Sequence, residues 1–496
     1  MNLSKSLQDN ITMVSKLLPL DKSFDIISRR LKLCHMDCFF LGINGYLDSR
    51  VLHNLFADLQ NISFASVDQL KNQSSEVIRE HLMNSIPAAQ VKYSDDWNEL
   101  LKNLLSGPFL LFFEGVDKGF IIDIRTYPAR SIKEPENEKT IRGSKDGFVE
   151  TLLFNANLIR RRIRSPKLVF EITNVGTQSK TDVALAYLKD EADSRLLEQV
   201  RNKLSHLNVS ALTMGTQSME ELLVPRKWYH PLPSLFRTER PDVACSYLLE
   251  GYILLLVDTT PSVLILPASI FQHSQSPEDY YKPPLTGNYI RFYRFLCVLI
   301  SLFLLPVFLL LSTNPQLLPA GVSLLPTGEM SPLRIFIYVL FAELALDLFR
   351  YSSSHTPDGF SGALSIVGGL LIGDVAVKLQ WASSEIIFYA AATVLASLSL
   401  SSIELSDAIR IYRLFLLLCT GTGILAPTPP TLPLPAGLIG FLTGCIFIVL
   451  SVITTPAPFG RSYFWPLIPF NREAMHSVLF RYPAKRKQPP QIWNRK

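Results

Sequence analysis

The sequence predicts an N-terminal cytosolic α/β (α+β) domain in two subdomains, followed by a C-terminal multi-pass α-helical membrane domain. Three observations carry this reading. The 496 residues are 48% hydrophobic and only 18% charged, with a mean hydropathy of +0.21, values high for a wholly soluble protein. The apolar excess is uneven: before about Tyr289 charged and apolar residues mix as in a globular domain, and beyond it apolar segments of bilayer length, roughly 20 residues, recur. The start, MNLSKSLQDNITMVSKLLPLDKSFDII, has scattered charges and no long apolar core, so it is unlike a secretory signal peptide and places the first half in the cytosol. The expected divisions are 1–132 and 133–285 for the two subdomains, 286–455 for a membrane domain of five to six helices, and 456–496 for a basic cytoplasmic tail.

In the first half, DCFFLGINGYLDSRVLHNLFADLQ from Asp37 reads as strand, glycine turn and helix, because a short apolar run gives way to leucines at helical spacing. The same grammar recurs. GPFLLFFEGVDKGFIIDIRTY reads as two strands joined at Gly115 to Gly119, LVFEIT and DVALAYL as further strands, and 193–206 as a helix. Asp258-Thr259-Thr260-Pro261, between LLLV and SVLIL, fits a hairpin turn better than a phosphorylated aspartate. The two subdomains are expected to meet in the charged stretch 132–145.

The second half offers spans at 290–311, 333–349, 361–377, 384–400, 408–426 and 434–453; the second, which contains Glu343 and Asp347, equally fits a helix at the interface or one buried among other helices. An even number keeps both ends inside. Arg291, Arg294, Arg350, Arg410, Arg413 and Arg461 then fall on the inner side and only Arg334 and Lys378 near the outer face, as the positive-inside rule prefers. Proline-rich breaks at 314–332 and 426–435 become outer loops. Gly369 with Gly373, and Gly440 with Gly444, form small-residue pairs suited to close helix packing.

Charges inside these spans are the candidate functional residues, because each is costly there. Glu343 and Asp347 lie one turn apart and carry the same sign, which fits a cation path; a salt-bridge network among helices explains them equally well. Asp374 and Lys378, at i and i+4, fit an intramembrane ion pair. Arg160, Arg161 and Arg162 close a helix, either as a solvated, dipole-matched end or as an assembly surface for acidic neighbours or lipid phosphate.

The remaining composition narrows the function classes. Six scattered cysteines, Cys34, Cys38, Cys245, Cys297, Cys419 and Cys445, do not form a disulfide framework, and no second Cys/His cluster completes a metal site with CHMDC. A net charge of +5 is too diffuse to point to nucleic acid. No GxxxxGK[ST], HExxH or GxSxG stands in the chain, so neither an enzyme nor a cofactor is expected.

Two stretches carry more identity than composition requires. EPENEKTIRGSKDGFVETLLFNANLIRRRIRSPKL begins at Glu134, and FRTERPDVACSYLLEGYILLLVDTTPSVLILPASIFQHSQSPEDYY begins at Phe236. With SGALSIVGGLLIGDVAVKLQWASSEIIFYAA from Ser361 and PFGRSYFWPLIPFNREA near the end, they resemble the A-subunit family of bacterial spore germination receptors over nearly the whole chain. Two departures stand out: Ser144-Lys145-Asp146 replace proline, arginine and glutamate, and Thr259-Thr260 replace glycine and serine.

The resemblance implies a homo-oligomeric subunit of the spore inner membrane, with its N-terminal domain and tail facing the core. It implies other germination proteins as partners, a small membrane protein among them, and a role in monovalent cation release that amplifies germination. A non-conducting scaffold and a secondary transporter with a cytosolic regulatory domain are the competing classes.

Overall fold

The computed structural model describes residues 2–33, 36–61, 75–88, 90–126, 138–224, 227, 229–318, 330–354, 376–378, 383–426, 435–455, 459 and 462–481. The first unit runs α1 (Leu7–Leu17), β1 (Ile26–Leu33), β2 (Met36–Ile43), α2 (Ser49–Asn61), α3 (Ser75–Ser85), β3 (Val91–Ser94), α4 (Trp97–Leu104), β4 (Phe109–Phe113) and β5 (Gly119–Ile122). Its strands form an antiparallel sheet in the order β1-β2-β4-β5-β3. The second unit runs α5 (Leu152–Arg162), β6 (Leu168–Val175), β7 (Thr181–Leu188), α6 (Ser194–Ser205), α7 (Gly215–Leu223), β8 (Phe236–Thr238), α8 (Pro241–Leu249), β9 (Ile253–Val257) and β10 (Val263–Leu266), with sheet order β6-β7-β9-β10-β8.

The second order is the first with every strand number raised by five, so the architecture is repeated. Layering repeats too. Leu41, Leu110 and Phe112 pack against α1 and α4, while Phe40, Phe109, Leu111 and Phe113 pack against α2 and α3. In the second sheet Phe170, Ala186 and Leu254 meet α5 and α8, while Val183, Leu185 and Leu255 meet α6 and α7. With both faces covered, the central strands FLLFF and ILLLV are apolar at every position.

A local signature confirms the repeat. Glu114, the first residue after β4, accepts a 2.9 Å hydrogen bond from the amide of Leu7 at the start of α1, and Asp258, the first residue after β9, accepts one of 2.9 Å from Leu152 at the start of α5. Each acid satisfies a helix-terminal donor and meets the positive end of the helix dipole. Residues 258–262 link β9 to β10 as the expected hairpin.

The helical half begins with α9 (Glu278–Tyr281) and α10 (Pro284–Thr313), continues through α11 (Pro332–Ser354), α12 (Ser384–Leu398), α13 (Ile403–Leu425) and α14 (Ala436–Ile453), and ends with α15 (Arg472–Leu479). Among the described residues, α10, α13 and α14 are long and apolar enough to cross a membrane; α12 is apolar but shorter, and α11, on which the span expected at 333–349 falls, is 23 residues long but too charged to count with them. The span expected at 361–377 lies outside the described residues except for a helical turn at Ala376–Lys378. Gly440 and Gly444 do set a close helix contact. A Cβ at Gly440 would collide with the carbonyl oxygen of Cys419, and one at Gly423 would sit 2.6 Å from that of Ala436.

Thr259 holds φ at +66°, in the left-handed region that β-branched residues avoid. It stands where the family resemblance expects glycine. Thr259→Gly should therefore raise stability by about 1 kcal/mol, the approximate cost of a left-handed non-glycine residue, read as an upward shift in the thermal midpoint. An unchanged or lower midpoint would assign Thr259 a compensating contact.

Candidate functional site at the domain junction

The second α/β unit meets the helical half through segments that lie far apart in sequence: 138–146, the start of α8, residues 273–281, the start of α10, and the strap 462–481. What draws them together is buried charge. Arg240 has no exposed surface. Its Nη1 donates to the Glu138 carbonyl and Thr140 Oγ1 (both 3.1 Å), its Nη2 to the Ser144 carbonyl (3.1 Å) and Asp242 Oδ2 (2.7 Å), and its Nε to Asp242 Oδ1 (3.1 Å). The Tyr281 hydroxyl donates to the same Asp242 oxygen at 2.6 Å. Gly143, at φ +124°, lies under the Tyr281 ring, where a Cβ would come 2.5 Å from Cε2. Three motifs distant in sequence, Arg142-Gly143, Thr238 to Asp242 and Ser276 to Tyr281, are thus one structure.

Asp279, fully buried, joins that structure to the helices. Arg294 donates to both of its carboxylate oxygens (2.9 and 3.1 Å) and to the Ser274 carbonyl (2.8 Å), and Arg291 Nε reaches it at 3.4 Å. Arg291 also donates to the carbonyls of Ser477 and Val478 at the end of α15, while Arg481 donates to the carbonyls of Asp279 and Lys282. The sequence reading gave Arg291 and Arg294 only a positive-inside role. Their spacing of three, one helix face, just after an acid in a hinge, was the available signal.

The predicted residues fall as follows. Glu343 on α11 is buried and paired with the equally buried Arg413 of α13, whose Nε and Nη2 approach Oε1 at 2.8 and 2.5 Å. Arg413 Nη1 donates to the carbonyl and hydroxyl of Ser301 on α10 at 2.9 and 3.1 Å. Asp347 faces Arg410 at 3.6 Å, Arg410 faces Asp407, and Asp407 faces Arg350 at 3.4 Å. Asp374 lies outside the described residues, so its pairing with Lys378 does too.

The arginine cluster is divided. Arg160 is not on a surface: it is wholly buried, donating to Asp25 Oδ2 (2.7 Å) and the carbonyls of Ser165 and Leu168, and so locks the first unit to the second. Arg162 grips Asp146 with two 2.7 Å bonds and donates to Ser144 at 2.6 Å, which makes local sense of the Ser144-Lys145-Asp146 departure. Arg161 alone of the three is exposed. Arg160 offers no surface for assembly because its guanidinium is spent inside the chain.

Two layered α/β units, the second pinned by buried ion pairs onto helices of which three are long and apolar enough to cross a bilayer, describe a membrane-type protein with a folded domain at its base. The Bacillus/Clostridium GerA spore germination protein model matches residues 15–491. Stage V sporulation protein AF of Bacillus subtilis (strain 168) is 34% identical over 92% of this chain and 89% of its own length. Spore germination protein KA of the same organism is 29% identical over 99% and 87%, and spore germination protein A1 is 27% identical over 97% and 95%. The crystal structure of the N-terminal domain of the A subunit of the Bacillus megaterium spore germinant receptor GerK3 is 26% identical, covers 53% of this chain and 96% of that one, and gives a TM-score of 0.39. This chain belongs to the GerA family of spore germination proteins.

The junction carries a titratable reporter. Burial pushes the Glu138 carboxyl up to about 7, against the hydrogen bonds it accepts from Thr238 Oγ1 and the Glu239 amide. A carboxyl with a raised folded pKa gives stability that is fully present below its unfolded value of 4.5 and is lost as pH rises through about 7. The thermal midpoint of the wild type should fall relative to that of Glu138→Gln between pH 5 and 8. Parallel pH profiles would show that Glu138 titrates normally.

Proposed function

We propose that this chain is a homo-oligomeric membrane subunit of a spore germination complex, seated in the spore inner membrane with its N-terminal domain and tail on the core side, and that it takes part in monovalent cation release that amplifies germination. One observation carries the reading: the Glu343–Arg413 pair, set ten residues into α13. At 1.5 Å per residue that is about 15 Å from the helix start, close to half of a roughly 30 Å hydrocarbon core. A buried ion pair of this kind adds little stability over a well-packed apolar substitute, while ionisable groups at that depth are commonly functional.

The line of charge continues from Glu343 through Asp347, Arg410, Asp407 and Arg350 toward the junction end. While Arg413 neutralises Glu343, the carboxylate has little field left to attract a cation; separating the two gives a path its acidic ring in an oligomer. The long α10 supports such coupling, because Arg294 at the junction and Ser301 at the pair are seven residues apart on one helix, about 10 Å. Exposed apolar side chains such as Phe292, Leu348 and Ile446 leave surface for lipid, for further copies and for a small membrane partner.

The test is potassium and chloride flux through the purified chain in lipid vesicles, alone and with its membrane partners, beside the Glu343→Gln, Asp347→Asn double variant and the same variant carrying Arg413→Gln. Cation selectivity should fall by about tenfold or more in both, equivalent to about 1.4 kcal/mol per ion, with the oligomer intact. The third substitution removes the stranded arginine, so a selectivity loss shared by both variants reports the acids and not a damaged fold. An oligomer that never conducts, with or without partners, would make this subunit a scaffold.

A further inference from the structure

A cavity of about 800 Å³ opens at the junction, walled by the second α/β unit, the 273–281 hinge, the first turns of α10 and the α12–α13 loop. That volume lies within the range of small-molecule sites. Its wall is acidic. Six carboxylates, those of Glu138, Glu239, Asp242, Glu250, Glu278 and Glu404, line it with three basic side chains; Asp242 is held by Arg240 and Glu278 by Lys282, and Arg294 is held by Asp279 and Arg237 by Glu220, so the rest of the charged lining is four acids to one base, Lys139. The wall is also aromatic, with the rings of Tyr247, Tyr280, Tyr281 and Tyr293 beside Phe236. Deep in the wall His273, 1% exposed, is fixed by Ser402 at 3.2 Å and by an edge contact with Phe236, so that part of the lining is built before any ligand arrives.

Carboxylates and tyrosine rings around one concave space, with Tyr280 already accepting cation–π contact from Arg291 and Arg481, are the complement of an ammonium group, which takes charge from the acids and cation–π contact from the rings. We propose that this cavity binds a small organic ammonium, and that the occupant bridges the N-terminal domain to the helical half because no single unit supplies the whole wall. The inference does not depend on conduction. It fits two sources of the same chemistry, a free amine and the ethanolamine headgroup of a lipid, since the cavity lies where the helices leave the α/β domain.

The experiment uses the full chain in nanodiscs of phosphatidylglycerol alone, titrated calorimetrically with ethanolamine and with tetramethylammonium at constant ionic strength, and with potassium as the inorganic comparison. At least one organic cation should bind saturably and raise the thermal midpoint. Glu404→Gln and Glu250→Gln should each weaken that binding at least about tenfold while leaving the ligand-free midpoint and elution volume unchanged. If either variant misfolds, Tyr293→Leu at the cavity mouth serves in its place. Nanodiscs containing phosphatidylethanolamine separate the sources: suppressed binding of free ethanolamine assigns the site to the headgroup, and unaltered binding assigns it to a free amine. No saturable binding, an equal response to potassium, or affinity indifferent to the variants would overturn the proposal.

Discussion

Four arginines fully buried among the described residues set the terms on which this chain folds. A guanidinium stays charged at any accessible pH, so burying one requires a carboxylate and enough acceptors to occupy its fork of donors. Each of the four sits at a different seam. Arg160 joins the two α/β units through Asp25, Arg240 gathers 138–144 onto α8, Arg291 holds the hinge and strap with Asp279, and Arg413 ties α11, α13 and α10 together. Apolar cores fill each layer, but they are not selective about which layer sits on which. The paired charges are: an alternative docking would leave a buried ion without its partner, at a cost of several kcal/mol.

The helix α10 is the element that spans most of these seams. Its first turns carry Arg291 and Arg294, its middle offers Ser301 to Arg413, and Pro306 follows one turn later. Proline removes the amide that would bond the carbonyl of residue 302 and crowds that turn, so the backbone there is poorly satisfied from within the helix. Arg413 from α13 donates one residue earlier, to the carbonyl and hydroxyl of Ser301, which adds a polar contact to α10 just before that turn.

Much of this was legible in the sequence, and the reasons for the rest are physical. The central strands and their hairpins announce themselves because both sheet faces are covered, making FLLFF and ILLLV uniformly apolar. The edge strand β1, IISRRLKL, does not, because four of its eight residues are exposed and charged or polar, as an edge requires. Helix α11 reads as a span despite Glu343 and Asp347, and the partners that make this tolerable, Arg413 and Arg410, lie some 60 to 70 residues further on. Local pattern shows that a charge is costly; only the packed fold shows which distant residue answers it. The arginines of α5 illustrate the converse. Adjacent in sequence, they point in different directions around the helix, so one is buried, one half-buried and one exposed.

The repeated strand order, together with the same acid-to-helix bond after β4 and after β9, bears on ancestry. Two units that share connectivity, layering and one idiosyncratic polar contact are what a tandem copying of a single unit leaves behind. The halves now carry different loads: the second bears the hinge, the strap and the helices, and the first meets the second through Asp25 with Arg160, Ser23 and Phe24 with Phe170, and Tyr46 with the Asn157 carbonyl. The first is therefore tethered on one side, whereas the second is held in place from both.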